Sequence, residues 1–291
     1  MDDRLRPLWD FDDLELSSER LSAQLEMEES DAGRAEVMTQ LARVAGLRGD
    51  FDAGEALVDE AVQLAGGSVV AVARIDLERG RLRRSSGDRE AALPLFEAAF
   101  ATAVAAGESF VAADAVHMAA LAAPDRDSFV AWTERGIELA EADDGARYWI
   151  GPLLNNLGWE HFEAGELDLA LDSFERALGA RLDDPDIGSA IALARYAVGR
   201  ALRALDRTDE AIAQLELAVE WAERAGAPDG WYHEELALGY ADAGRGEEAA
   251  EQARLALPLL ETDDPPFAED RARRARLDSL AARERPTAPD G

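Results

Sequence analysis

The feature that most constrains this chain is a turn signal that returns at nearly fixed intervals. Gly49, Gly87, Gly165, Asp206 and Gly244 are separated by 38, 78, 41 and 38 residues, and 78 is two steps of about 39. Around each turn the apolar residues recur at helical spacing. The clearest copy runs from Leu153 to Ala180. Leu154, Leu157, Gly158 and His161 fall at i, i+3, i+4 and i+7 and line one helix stripe. Beyond Gly165, Leu167, Ala170, Leu171, Phe174, Ala177 and Leu178 mark a second stripe, with Glu166, Asp168, Asp172, Glu175 and Arg176 on the opposite face. Neither helix can bury its stripe alone. Gly158 and Ala170 are small where the two helices approach, and Phe174 is large enough to fill the gap between them.

This spacing resembles the tetratricopeptide repeat, whose pattern is W-x-x-L-G-x-x-Y, then A-x-x-x-F, then A, then P. Leu154 stands in the Trp place, His161 in the Tyr place and Leu182 at the closing Pro. Further copies carry Met38, Leu41, Gly54 and Val58; Gly80, Ala92, Phe96 and Ala99; Gly199, Ala211 and Leu215; and Leu236, Tyr240 and Ala249. A degenerate copy beginning at Phe110 has Ala-Pro-Asp in place of its turn glycine. The resemblance implies an all-α, right-handed superhelical solenoid of about six helix pairs, over residues 32–263. Residues 1–31 are expected to form an extended, partly anchored segment and a capping helix, N-capped at Ser17 or Ser18. A C-terminal capping helix is expected at 264–285 and a disordered tail at 286–291. The period exceeds the usual 34, which resembles the long repeats of kinesin light chains and bacterial regulatory repeat proteins.

Composition narrows the function. The formal net charge is −31 and every one of the thirty basic residues is Arg. Sixty-one carboxylates repel a polyphosphate, so no nucleic-acid partner is expected. The lack of Lys removes Schiff-base chemistry and the phosphate-loop Lys, and the lack of Cys removes thiolate metal sites and cysteine nucleophiles. No basic leader and no long apolar run occur, so neither secretion nor a membrane partner is expected, and a cytoplasmic location is. His117, His161 and His233 lie in three different repeats with no metal-ligand spacing, so no metal, cofactor or catalytic residue is assigned.

Two Arg clusters carry the remaining chemistry. Arg74, Arg79, Arg81, Arg83 and Arg84 lie on one helix, and Arg271, Arg273, Arg274 and Arg276 lie near the C-terminal end. The first has two readings, internal pairing with neighbouring carboxylates or a dedicated anion site; the second is read as offsetting Glu247, Glu248, Glu251 and the acidic loop at 261–264, ahead of RNA or DNA binding. In tetratricopeptide proteins the first helix of each pair lines a groove. Mapped onto this sequence, that resemblance selects Arg43, Arg81, Asn155, Asn156, Trp159, Arg200, Arg203, Trp231 and Glu234. Asn can bond a peptide backbone, Arg a carboxylate and Trp an apolar side chain. The expected function is a non-catalytic adaptor that binds a peptide or protein segment in this groove. The alternative is a regulatory repeat protein that changes curvature on binding a small anionic ligand or peptide.

Overall fold

The computed structural model describes residues 3–11, 13–183 and 188–282, and among them there are fourteen α-helices, three short 3-10 helices and no strand. The architecture is that of an all-α helical-repeat solenoid, and the chain divides into two compact units, Met1–Leu153 and Leu154–Gly291.

The repeating turn explains the helix pairs. Gly49, Gly87, Gly165 and Gly244 all have φ between 74° and 98°, and Asp206, at 58°, is the only described non-glycine residue with positive φ. In each case the following N–H reaches back to a carbonyl five residues earlier: Asp50 to Ala45, Asp88 to Arg83, Glu166 to His161, Arg207 to Leu202 and Arg245 to Tyr240. A left-handed residue closing the helix in this way satisfies carbonyls that would otherwise lack partners. The residue after it also opens the next helix, and the Asp50 and Asp88 side chains accept from Ala53 N–H and Ala91 N–H.

In the first unit α1 (Leu14–Met27) packs on α2 (Asp31–Leu47). The pairs are α2 with α3 (Phe51–Leu64), α4 (Val69–Ser85) with α5 (Arg89–Ala106), and α6 (Ser109–Ala122) with α7 (Arg126–Ala142). The degenerate copy is thus a complete helix pair. Its Ala-Pro-Asp turn works without glycine because the Asp125 side chain caps α7 by accepting from Ser128 N–H. A 3-10 turn, Asp144–Trp149, leads into α8 (Ile150–Glu163). In the second unit α8 continues and packs on α9 (Leu167–Leu182) through Gly158 and Phe174, followed by α10 (Gly188–Ala204) with α11 (Thr208–Arg224) and α12 (Gly230–Asp242) with α13 (Gly246–Asp263). A 3-10 turn, Pro265–Ala268, then sets α14 (Arg271–Ala281) against α13.

The core repeats one packing device. Gly80 meets Phe96, Gly158 meets Phe174 and Gly199 meets Leu215, each glycine giving up its β carbon to the larger side chain. Phe96, Phe174 and Leu215 are fully buried, each contributing roughly 1.5–3 kcal/mol of apolar transfer.

The N-terminus departs from expectation. Helix α1 begins at Leu14 and is capped by Asp13, which accepts from Leu16 N–H, so neither Ser17 nor Ser18 is the cap. Ser17 is instead fully buried, and its hydroxyl exchanges hydrogen bonds with the Asp10 backbone at 2.7 Å. It anchors the preceding segment. Residues 283–285 and the tail at 286–291 lie outside the described residues. No described helix is long and apolar enough to cross a membrane.

Candidate functional site

In the first unit the first helices of successive pairs, α2, α4 and α6, carry a charged and aromatic face, and the N-terminal segment lies across it. The segment forms a single 3-10 turn, Arg6–Leu8, opened by Pro7. Its backbone hydrogen bonds close on itself, from Arg6 N–H to the Asp3 carbonyl, Leu8 to Leu5 and Trp9 to Arg6. Side chains make the attachments to the helices. Asp3 accepts two hydrogen bonds from the Arg74 guanidinium, at 2.6 and 3.2 Å, with both side chains largely buried. Arg4 pairs with Glu28 at 2.6 Å and with Glu36 at 3.4 Å. Leu5 is buried against Val37 and Val44. The Arg6 guanidinium lies 3.7 Å from the Tyr148 ring centre. Trp9 donates to Gln40 Oε1 at 3.1 Å and stacks on Phe11 at 4.9 Å.

Between this segment and the helices is a small pocket, partly open to solvent, walled by Trp9, Phe11, Phe110, Tyr148 and Trp149. Arg43, from α2, enters it beneath Trp9 and Phe11, 5.1 and 5.3 Å from their ring centres. The Asp114 carboxylate is 3.9 Å away from it. Burial, reinforced by the neighbouring Arg81 guanidinium, holds its pKa below the ordinary guanidinium value. The Trp149 indole N–H is also buried and has no acceptor among the described residues.

Behind the pocket is an ion network. Arg81 pairs with Glu78 at 3.0 Å and with Asp114, and all three side chains are nearly or fully buried. Burial opposes the Arg81 charge, but the two carboxylates offset that cost and raise its pKa. Burial raises the Glu78 pKa despite Arg81 and Arg43. His117, whose ring lies tilted against Trp149 with centroids 5.2 Å apart, is pushed down to about 4, chiefly by burial and against the pull of Asp114. The charge of Arg81, which the sequence placed in the groove, is therefore committed to Glu78 and Asp114. The neighbouring Arg residues are paired too: Arg74 with Asp3 and Glu36, Arg79 with Glu55 and Asp59, and Arg83 with Glu55. Internal pairing is thus the reading that fits most of this cluster.

In the second unit the expected groove residues fall into two groups. Trp159 packs on Phe174 and Phe162, with Tyr196 6.2 Å away and Tyr232 5.0 Å beyond that. Arg200 donates to the Tyr196 hydroxyl at 3.0 Å and lies 5.3 Å from the Trp159 ring, so these two expected residues do meet. Burial pushes the Tyr196 hydroxyl up to about 12, which keeps it a neutral acceptor. Arg203 turns away to Glu235 at 2.5 Å and Asp242 at 3.1 Å. Asn155 and Asn156 are partly buried on α8, and the Asn155 side-chain oxygen is buried without a donor among the described residues. Trp231 and Glu234 converge instead on Arg273 from α14. Arg273 lies 3.9 Å from the Trp231 ring centre, pairs with Glu234 and reaches Asp264 at 2.7 Å. Arg274 pairs with Glu261 and Arg276 approaches Glu234 at 3.9 Å. Among the described residues no group of His, Cys, Asp and Glu could hold a metal ion.

Comparison with known proteins agrees with this architecture. A family model described as "Tetratricopeptide repeat" matches residues 151–184 and 192–224. No curated protein sequence matches the chain. Among solved structures, the apo form of RapI is similar over 91% of this chain and 75% of its own, at 13% identity and a TM-score of 0.64. BtubC (BKLC) from P. vanneervenii is similar over 73% of this chain and 92% of its own, at 18% identity and a TM-score of 0.61. The apo form of the quorum sensor NprR from B. thuringiensis is similar over 93% and 83%, at 12% identity and a TM-score of 0.56. At these identities the likeness is one of fold.

Proposed function

We propose that this tetratricopeptide-repeat protein is a non-catalytic scaffold that holds a peptide or protein segment against the first-helix face of a unit. One observation carries the reading: in the first unit that face already grips a short stretch of polypeptide, residues 3–11, by a bidentate carboxylate, a buried leucine and an indole hydrogen-bonded to Gln40. Side chains that can hold this chain's own segment can hold a segment of another. The second unit offers related chemistry in Trp159, Tyr196 and Arg200, with the Asn155 oxygen in need of a donor. The fold's occurrence in the quorum sensor NprR supports a second reading, a regulator that answers to a small anionic ligand. The aromatic pocket with its unsatisfied indole N–H supplies an observation for it. A cysteine-free chain suits a reducing cytoplasm, where we place the protein.

Selection of short random peptides on the purified protein tests the scaffold reading. The expected result is a related set of sequences that compete with one another and lose affinity on an Arg200→Glu or a Gln40→Ala variant of unchanged helicity. Failure to enrich any set, or binding undiminished on both variants, overturns it.

A further inference from the structure

We infer that residues 3–11 are an internal stand-in for the partner. On this inference the first unit's inner face takes a peptide bearing a carboxylate followed by a cation, an aliphatic residue two positions after the carboxylate and an indole six positions after it. The proposal rests on the scaffold reading above and goes further by naming the partner's chemistry and its competitor.

The pattern comes from what each residue of the segment meets. The Asp3 carboxylate fits the buried Arg74 fork, whose other carboxylate contact, Glu36, is 3.4 Å away. Arg4 answers Glu28 and Glu36, Leu5 fills the apolar hollow beside Val37 and Val44, and Trp9 reaches Gln40 and Arg43. These four contacts fall on α2 and α4 or at the C-cap of α1, and they require no particular backbone pairing. The segment adds no backbone ladder to the helices, so another peptide of the same side-chain pattern can replace it without breaking main-chain hydrogen bonds of the repeats.

The internal occupant is also an incomplete one. It leaves the Trp149 N–H without an acceptor among the described residues and Arg43 with the Asp114 carboxylate 3.9 Å away, both in the pocket beneath Trp9 and Phe11. A partner with an acceptor at that point gains interactions that the internal segment forgoes. The chain's overall charge does not forbid this. Residues 3–11 carry two Asp and two Arg, so a peptide of this kind is neutral and is not repelled by a net charge of −31.

The test uses a fluorescent synthetic peptide copying residues 3–11, titrated into the full chain and into a full-chain Asp3→Ala/Trp9→Ala variant whose internal segment is loosened. Because an occupied face lowers apparent affinity by its free fraction, the variant is expected to bind about tenfold more tightly than the unaltered protein. Peptides carrying Asp3→Asn or Trp9→Ala should lose that gain. A second measurement needs no altered protein: in the unaltered chain, excess unlabelled peptide should speed amide hydrogen exchange in residues 3–11 several-fold. Equal binding by both proteins, or exchange that does not change, overturns the proposal. Binding that appears only as self-association by light scattering assigns the face to a second copy and also overturns it. If this peptide fails while selected random peptides still bind, the inference falls and the scaffold reading stands.

Discussion

The ring of Phe174 occupies the volume that a β carbon on Gly158 would need, so the two residues, from α8 and α9, can be large only one at a time. Gly158→Ala should cost about 1–3 kcal/mol from overpacking, less what the helix gains in propensity. Phe174→Ala should cost about 3–5 kcal/mol, since the ring is fully buried. The double variant should be more stable than the sum of the two, by roughly 1–2 kcal/mol, because the added methyl then enters the space left by the ring. Urea denaturation of all four proteins measures this, and strict additivity would contradict the shared volume.

Arg273 should be the most sensitive residue of α14. Glu234 and Asp264 are 5% and 7% exposed, and both depend on this guanidinium. Arg273→Ala should destabilise the fold by about 3 kcal/mol, because it leaves two buried carboxylates without their partner. Hydrogen exchange should rise first in α14, and Trp231 fluorescence should shift to the red as its covering cation is lost. A pairing of surface type would give less than about 1 kcal/mol and no local exchange change.

His117 predicts a pH dependence. Its folded pKa, about 4, lies below the ordinary value of 6.5, so between those values the unfolded chain binds a proton that the folded chain refuses. Its contribution is complete above about pH 6.5 and is lost as pH falls toward 4. The loss should amount to roughly 1–3 kcal/mol, reduced by the solvent that reaches part of the ring. Asp114, Arg81, Arg43 and Arg84 face it and are common to both proteins compared. The melting temperature of the unaltered protein should therefore fall relative to that of His117→Phe as pH is lowered from 7 to 4. Parallel curves would show that this ring does not titrate as described.

Asp206 closes α10 with φ at 58°, a conformation that costs an L side chain energy and glycine none. Asp206→Gly should raise stability by about 0.5–1 kcal/mol, partly offset by the greater freedom of glycine in the unfolded chain. The same change at the neighbouring Arg207, whose φ is −88°, should lower it, and thermal melts of the two variants give the comparison.

The turn residues and the Gly–Phe stripe were legible in sequence because both are local: a positive φ favours glycine, and a helix face is written at a spacing of three and four. The covering of the first unit was not. An anchored segment was expected at the N-terminus, yet its attachments lie 31 residues away at Gln40 and 71 away at Arg74. Periodicity places a residue on a face but does not name the distant stretch that lies over it. The Arg residues failed for a related reason. Arg81 and Arg203 occupy positions that could face a groove, but carboxylates on adjacent helices, Asp114 and Glu235, claim their charges. Arg200, which meets the Tyr196 hydroxyl and aromatic rings, kept company with Trp159 as the spacing suggested.

The buried set formed by Glu78, Arg81 and Asp114, with Arg43 beside it, also limits how this sequence can drift. Losing any one member strands an opposite charge away from water, a loss of several kcal/mol in a fold whose whole margin is on the order of 5–15 kcal/mol. Single steps away from the arrangement are therefore nearly closed, whereas a joint replacement by apolar residues of matching volume is open. Descendants of this chain should keep the positions intact or exchange them together, so that α4 and α6 carry a linked inheritance although about thirty residues of sequence separate Arg81 from Asp114.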